Sequence, residues 1–410
     1  MDKINKIYID GFRNIINTSL RFTQPLTTLL ALNNYGKTNV INAIELAANL
    51  ICMGTYPQGD TISKNGYVSY NKDNSNKPFT FEINATKDNK VINYGFKISP
   101  NKGVHSEVLS LGNNPPIINR AEGRSAIVGD TVIPVPHLNL LISRADQLSS
   151  NEETNHAADI ASSVQELFYS IISMQCNRKP QLLNDFTNIE NSFKSNEIKL
   201  TNSLVKWSLS DPAVYDEFKR TFLRLFQCID DIELVKLRLV QHGIDSEEND
   251  EYNPHEYKLA FFTRNKRKHE VFDDLSAGTQ DILMLLREIF SKRNSPLIAI
   301  EEIENGIHPS LYRKVLQTLQ SVCKNTKILI TTHSPSIVRH FGEDELSSLY
   351  IGVPAESGDA TFATIRESKK DEIQNEANNN NTSVGELIFD MLADSKNNIG
   401  TFQRWLDTNG

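Results

Sequence analysis

Residues 31–39 read Ala31-Leu32-Asn33-Asn34-Tyr35-Gly36-Lys37-Thr38-Asn39. Ahead of them Leu26 to Leu30 (LTTLL) is a short β-rich run, and behind them Val40, Ile41, Ile44, Ala47 and Ala48 recur at helical spacing. A loop that leaves a buried strand and enters a helix points successive backbone N–H groups at one spot. There the helix dipole also favours negative charge. The stretch therefore reads as a phosphate cradle, lined by Asn33, Asn34, Tyr35 and Asn39. Lys37 is placed to reach β- and γ-phosphates, Thr38 to offer a hydroxyl to Mg2+, and Gly36 to let the backbone come close. One residue departs from the usual pattern. Ala31 stands where glycine is customary, at a cost of about 1 kcal/mol if that position needs a positive φ.

Gly-Lys-Thr recurs by chance, so the context must come from elsewhere, and three more stretches supply it. Leu297-Ile298-Ala299-Ile300-Glu301-Glu302 is an apolar run of the kind buried on both faces of a sheet, delivering two carboxylates at its C-terminal end. Adjacent strand residues point opposite ways, so the two acids take different tasks: Glu301 at the Mg2+ shell, Glu302 as general base toward the attacking water. Asp274-Leu275-Ser276-Ala277-Gly278-Thr279-Gln280 precedes the apolar helix DILMLLREIF, a second anion site with Ser276 and Gly278 as donors. Lys327-Ile328-Leu329-Ile330-Thr331-Thr332-His333-Ser334-Pro335 is another buried strand ending in a polar turn, which presents His333. His333 lies 31 residues beyond Glu302, room for one helix such as Pro309 to Cys323 between neighbouring parallel strands. Taken singly, each has a plainer reading: a solvated acidic turn, an ordinary helix cap at Ser276, a structural histidine.

Outward from these motifs, Ile4 to Ile9 is β-rich, and PFTFEINAT, KVINYGFKIS and VHSEVLSL alternate apolar and polar residues between turns at Lys87-Asp88-Asn89 and Pro100 to Gly103. They read as an antiparallel meander. From about 113 to 231 the pattern turns irregular and then helical. Ile160, Val164, Leu167, Phe168, Ile171 and Ile172 form one stripe, and Phe218, Phe222, Leu225, Phe226 and Ile229 another, whose helix starts at Asp211-Pro212. Strands return at Ile232 to Val240 and Tyr257 to Phe262. The tail carries an Asn-rich patch (Asn375, Asn378 to Asn381), expected as a mobile loop, then two short helices in SVGELIFDML and TFQRWL.

The chain has 410 residues and a net charge of −8, which argues against a surface coated with nucleic acid while leaving room for a local basic groove. The most basic run, Arg264 to His269, reads as the solvated turn of a hairpin. Four scattered cysteines without CxxC spacing suggest neither a zinc site nor a disulfide framework, and a reducing cytosol is the natural setting. No signal peptide and no run of ~20 apolar residues is present, so a cytoplasmic protein without a membrane span is expected.

In order, spacing and strand context the four motifs resemble the ABC-ATPase superfamily, within it the soluble branch of RecF, SMC and OLD-family ATPases, and most closely OLD-like heads. Asn33-Asn34 before Gly36-Lys37 looks like their phosphate loop. Ile300 to Pro309 is similar to their Walker B and D-loop run, Leu275 to Gln280 to the ABC signature, and Thr331 to Pro335 to the switch-histidine turn. Ile9-Asp10-Gly11-Phe12-Arg13-Asn14 is similar to the opening strand and turn. The resemblance implies an α/β fold, an ABC head of P-loop core sheet plus antiparallel β subdomain over 1–112 and 232–355. A mainly helical insertion then occupies 113–231 and a tail 356–410. It implies ATP and Mg2+ as cofactors and an ATPase that works as a head-to-head dimer, with ATP on the phosphate loop of one copy capped by Ser276 and Gly278 of the other. His333 would contact the γ-phosphate, and Gln58 is the candidate for the Q-loop. Such proteins sense or remodel nucleic acid and control an effector, often in anti-phage defence, as in two-gene Septu-type systems. The 77 residues after His333 lack the acids of a nuclease domain, so a separately encoded nuclease is the expected partner, with DNA open as another. A RecF-like repair ATPase is the alternative. SMC proteins proper carry far longer heptad insertions, and Thr279 in the signature weighs against a transporter subunit.

Overall fold

The computed structural model describes residues 3–53, 77–99, 103–121, 125–148, 152–175, 189–236, 257–263, 268–305, 307–339, 341, 346–354 and 358–407. The chain divides into two compact units, one formed by residues 1–174, 294–303 and 323–410, the other by 175–293 and 304–322. The second segment of unit 1, only ten residues long, is thus flanked in the chain on both sides by unit 2.

Unit 1 holds two sheets. The first is antiparallel, with strand order β2-β1-β4-β5-β6-β7-β8-β9: β1 (Lys3–Asp10), β2 (Thr18–Arg21), β4 (Phe79–Lys87), β5 (Lys90–Ser99), β6 (Gly103–Leu111), β7 (Ile118–Arg120), β8 (Ser125–Val128) and β9 (Thr131–Pro134). The expected meander is there, and its first turn is a two-residue hairpin in which Asp88 (φ 49°) and Asn89 (φ 63°) supply the positive φ values such turns require. It also runs further than the sequence reading allowed. SAIV and TVIP pair about a Gly129-Asp130 turn, where a helical insertion was expected to have begun. The inner face of this sheet joins one core cluster with helix α1 (Lys37–Met53) and with Leu29, Ala299 and Leu329 of the second sheet. Nine of the 17 residues of α1 are buried, so it is covered on more than one face.

The second sheet has the order β10-β14-β15-β3-β16-β17-β18: β3 (Leu26–Leu30), β10 (Ile172–Gln175), β14 (Leu297–Glu301), β15 (Lys327–Thr332), β16 (Leu349–Pro354), β17 (Ala360–Ile365) and β18 (Leu406–Asp407). β14, β15, β3 and β16 run parallel, and every residue of β3 and β14 is buried, as their unbroken apolar character demands. The stretch between β14 and β15 contains a 3-10 turn at Pro309–Leu311 and helix α7 (Tyr312–Val322), as βαβ spacing required.

Short α2 (Ala145–Leu148) and α3 (Glu152–Tyr169) belong to unit 1. The stripe on α3 ends earlier than its apolar pattern suggested: Ile171 N–H turns back to Phe168 O, and Ile172 opens β10. Beyond β15 come α8 (Pro335–Val338), α9 (Lys370–Asn379), α10 (Val384–Ala393) and α11 (Ser395–Trp405). These C-terminal helices share a core cluster with Leu30, Leu349 and Ile351 of the parallel strands. The Asn-rich patch expected as a loop is largely helical, since Asn375, Asn378 and Asn379 lie in α9, with Ile373 and Ala377 buried beneath them.

Unit 2 contains α4 (Ile189–Ser210), α5 (Pro212–Leu225), α6 (Ala277–Ser291), α7 and a sheet of β11 (Ile229–Lys236), β12 (Tyr257–Thr263) and β13 (Lys268–Glu270). Asp211 caps α5 by accepting from Val214 N–H, with Pro212 next, as expected. Phe226 ends that helix and Ile229 starts a strand, so only Phe218, Phe222 and Leu225 of the second stripe are helical core. Trp207, Phe218 and Phe290 pack ring to ring at 5.4–6.2 Å. Gln58 and the basic residues Arg264 to Arg267 lie outside the described residues. Among the described residues, no helix is long and apolar enough to cross a membrane. Compactness thus groups the chain differently from the sequence-based division at 112, 231 and 355.

Candidate functional site

Three parallel neighbours, β14, β15 and β3, end at one edge of the second sheet. Ile300 is paired with Ile330, and Thr332 with Leu30. The residues that follow leave this edge side by side, with strands spaced about 4.8 Å apart. Ala31 to Gly36 follow β3, His333 follows β15, and Glu302 follows β14. Hydrogen bonds tie the exits together: Ala31 N–H donates to Thr332 O (3.4 Å), Glu302 N–H to Thr331 Oγ1 (2.9 Å) and Ile303 N–H to Thr331 O (3.3 Å). The C-terminal edge of parallel strands is where α/β sheets bind ligands.

The loop itself is shaped by two left-handed residues, Asn34 (φ 67°) and Gly36 (φ 91°). Asparagine tolerates that region better than most side chains. Gly36 is required twice over, because a Cβ there would fall 2.6 Å from Ile15 Cδ1 and 2.8 Å from Asn14 Oδ1. Ala31 is not among the positive-φ residues, so the cost considered from the sequence does not arise. Its methyl is accommodated by Gly352 on β16, where a Cβ would stand 2.8 Å from Ala31 Cβ and 2.8 Å from the Phe362 ring. Lys37, at 6% exposure, folds over the loop and donates to Ala31 O (2.7 Å) and Leu32 O (3.0 Å). Thr38 is exposed in the first turn of α1, where helix geometry leaves N–H groups without intrahelical acceptors.

Glu301 closes β14 and is buried, at 6% exposure, whereas Glu302 is half-exposed and has left the strand with φ 47°. The two acids are therefore separated by a left-handed turn and not by simple strand alternation. A glutamate at positive φ is strained by about 1–3 kcal/mol, and such strain gathers at functional positions. His333 is half-exposed, and after it Ser334 N–H donates to Thr332 Oγ1 (3.0 Å).

Ser276 and Gly278 belong to unit 2. Ser276 caps α6, its Oγ accepting from Thr279 N–H (3.3 Å) and lying 2.9 Å from Thr279 Oγ1, and Gln280 Nε2 donates to Phe272 O and Leu275 O. Ser276 is exposed and Gly278 half-exposed, so the start of this helix is open to a partner.

Sequence reasoning placed Asn39 in the cradle and likened the turn at Arg13 and Asn14 to the opening of OLD-like heads, but did not join them. Arg13 Nη1 donates to Asn39 Oδ1 (2.7 Å), and Asn39 Nδ2 donates to Asn14 Oδ1 (2.7 Å). The turn after β1 is thereby fastened to the first turn of α1, with Arg13 in positive φ (50°) and its guanidinium over Phe12. The available signal was Gly11-Phe12-Arg13-Asn14, a polar turn directly after a strand. Burial pushes the Cys52 thiol up to about 11 and that of Cys323 up to about 12, so neither offers a thiolate. Among the described residues no group of three His, Cys, Asp or Glu could hold a metal on its own. The donor set does fit a nucleotide with Mg2+: a helix N-terminus, a lysine, a hydroxyl and two carboxylates on adjoining strand ends suit phosphate oxygens and a hard cation that keeps part of its water shell.

Residues 32–339 match the family described as "AAA domain, putative AbiEii toxin, Type IV TA system". The chain belongs to that family. It is a P-loop ATPase-type chain by that family, and its α/β fold of core sheet, antiparallel sheet and helices is ABC-head-like, as expected. No curated protein sequence matches it. Among solved structures it is similar to the SMC head domain from Thermotoga maritima at 14% identity and a TM-score of 0.46, covering 89% of this chain and 99% of that one. It is similar to an SMC head bound to the C-winged-helix domain of ScpA at 12% identity and a TM-score of 0.50, covering 90% and 99%. A third is an Smc head with an extended coiled coil bound to the C-terminal domain of ScpA derived from Pyrococcus furiosus, at 13% and 0.47, covering 92% and 100%. At such identities the likeness is one of fold.

Proposed function

We propose that the chain binds and hydrolyses ATP at the shared edge of β3, β15 and β14, and that two copies complete each other's sites. The observation that carries this reading is the convergence of Lys37, Glu301, Glu302 and His333 onto three adjoining strand exits. On this reading Lys37 exchanges the carbonyls of Ala31 and Leu32 for β- and γ-phosphate oxygens, and the amides of Asn33 to Asn39 cradle the chain of phosphates. Thr38 and Glu301 would hold Mg2+, which would offset the phosphate charge. Glu302 accepts a proton from the attacking water, and His333 faces the γ-phosphate. The exposed cap of α6, with Ser276 and Gly278, supports a cap contributed from a second copy.

The test separates binding from turnover. Lys37→Ala is expected to lose ATP binding, and equal nucleotide affinity in that variant would remove the phosphate loop from the site. Glu302→Gln is expected to bind ATP and to hydrolyse it at least about a hundredfold more slowly. The same variant with ATP should sediment as a dimer, and Ser276→Arg should return it to a monomer. A dimer that survives Ser276→Arg argues against the shared site.

The wider reading is an OLD-like ATPase subunit, of the kind paired with a nuclease in Septu-type anti-phage systems, that senses or remodels nucleic acid and controls a separately encoded effector. The family's description, which names a toxin of a TA system, supports a part in a multicomponent system. Copurification of the full chain from its native host tests this. A nuclease partner is the expected result, and DNA cleavage by the isolated chain with Mg2+ would overturn the assignment of cutting to another protein.

A further inference from the structure

The C-terminal helices touch the candidate site at two places. Tyr35, inside the phosphate loop, lies with its hydroxyl 3.2 Å from Ser395 Oγ at the start of α11, and Ser395 is 8% exposed. Leu32, whose carbonyl accepts from Lys37, packs against a core cluster that joins Leu30, Leu349 and Ile351 of the parallel strands to Ile388 and Leu392 of α10 and Phe402 and Trp405 of α11. The second place is α8, the turn of helix that begins two residues after His333. There α10 comes so close that a Cβ on Gly385 would meet Val338 Cγ2 at 2.6 Å and the Val338 carbonyl at 2.7 Å. Arg339 pairs with Glu386 at 3.4 Å beside it. Loop and switch segment are therefore both held by one helical pair, although they leave different strands.

We infer that α10 and α11 read the nucleotide: they position the phosphate loop through Ser395 and the segment after His333 through Gly385, so that ATP occupancy and the docking of these helices are coupled. The inference rests on the ATP reading above. Its physical route is short. A phosphate oxygen competes with Leu32 O for the Lys37 ammonium, and the released carbonyl belongs to a residue packed against the core cluster that α10 and α11 share with the parallel strands. At Val338 the close contact has no slack, because Gly385 leaves no side chain to yield, so a shift of α8 is passed to α10. Coupling of this kind is reciprocal: whatever factor ATP exerts on docking, docking exerts on ATP affinity.

Hydrogen exchange of the full chain with a non-hydrolysable ATP analogue tests the coupling, followed by ATP affinity in variants. Amides within 384–405 are expected to change protection when the analogue binds. Ser395→Ala and Tyr35→Phe should each weaken analogue binding roughly two- to tenfold, and the double variant should be no weaker than either alone. Gln403→Ala, exposed on α11, should bind as the wild type does. Wild type that binds the analogue with unchanged exchange over 384–405 overturns the inference while leaving the ATP site intact. So do Ser395→Ala and Tyr35→Phe effects that simply add. Wild type that binds no ATP analogue overturns both readings.

Discussion

Ala31 and Gly352 show how a motif can depart from its pattern without penalty. The methyl that replaces the usual glycine fits because its neighbour on β16 has none. Gly352→Ala is therefore expected to lower the unfolding midpoint, by about 1–3 kcal/mol of overpacking, and Ala31→Gly in the same chain should recover part of the loss. Equal stability of Gly352→Ala and wild type would refute the pairing. Glu302 makes the opposite case, a residue whose backbone costs stability where it sits. Glu302→Asn should raise the unfolding midpoint, by about 1 kcal/mol, because asparagine accepts φ 47° more readily, and should abolish ATP turnover. A lowered midpoint would show that Glu302 contributes contacts that outweigh its strain. The placement of Lys37, Glu301, Glu302 and His333 at a helix start and at strand exits was legible in the sequence because each adjoins a buried apolar run. The compensation at Gly352 was not, since only the sheet brings residues so distant in the chain into contact.

At the scale of elements, α10 begins with a reciprocal cap: Ser383 Oγ accepts from Glu386 N–H (3.2 Å) and Ser383 N–H donates to Glu386 Oε2 (3.1 Å). Ser383→Ala should destabilise the docked helix by about 1 kcal/mol, measured as faster exchange of its amides. The Ser383 N–H, then its hydroxyl, hold the Glu386 carboxyl below its ordinary range. A depressed folded value means stabilisation that is present above the unfolded value, about 4.3, and lost as pH falls through the folded one. Exchange of α10 should therefore quicken on acidification below about pH 4.3, and Glu386→Gln should remove that dependence. Elements with strong periodicity or long alternation were readable from residues alone, among them β4 to β6, α1, α6 and the β14–β15 unit. The strands from Ile118 to Pro134 were missed because three or four residues give too little alternation, although Gly129-Asp130 between two β-branched pairs was a hairpin signal. The stripes on α3 and α5 were overextended at Ile171, Ile172 and Ile229, because apolar β-branched residues that open a strand look the same as one more helical turn.

The whole molecule offers a natural test of its division, since its two tryptophans fall one in each unit: Trp207 in unit 2 and Trp405 in unit 1. Trp207→Phe and Trp405→Phe each leave a single reporter. The two unfolding curves are expected to have different midpoints, whereas superimposed curves would mean one cooperative body. The same division bears on Leu297–Glu301. The ten-residue segment that carries this strand, residues 294–303, belongs to unit 1 and is entered along the chain from the α6 side of the other unit, to which the chain returns directly afterwards. Glu301 and the adjoining Glu302 are thus approached along the chain from unit 2 on both sides. Lengthening an ordinary surface connection by two or three glycines is usually harmless. Here the segment is also held sideways by β15, through the pairing of Ile300 with Ile330 and the bonds from Glu302 and Ile303 to Thr331, so the same edit just before Pro296 or just after Ile303 should leave both acids where they are.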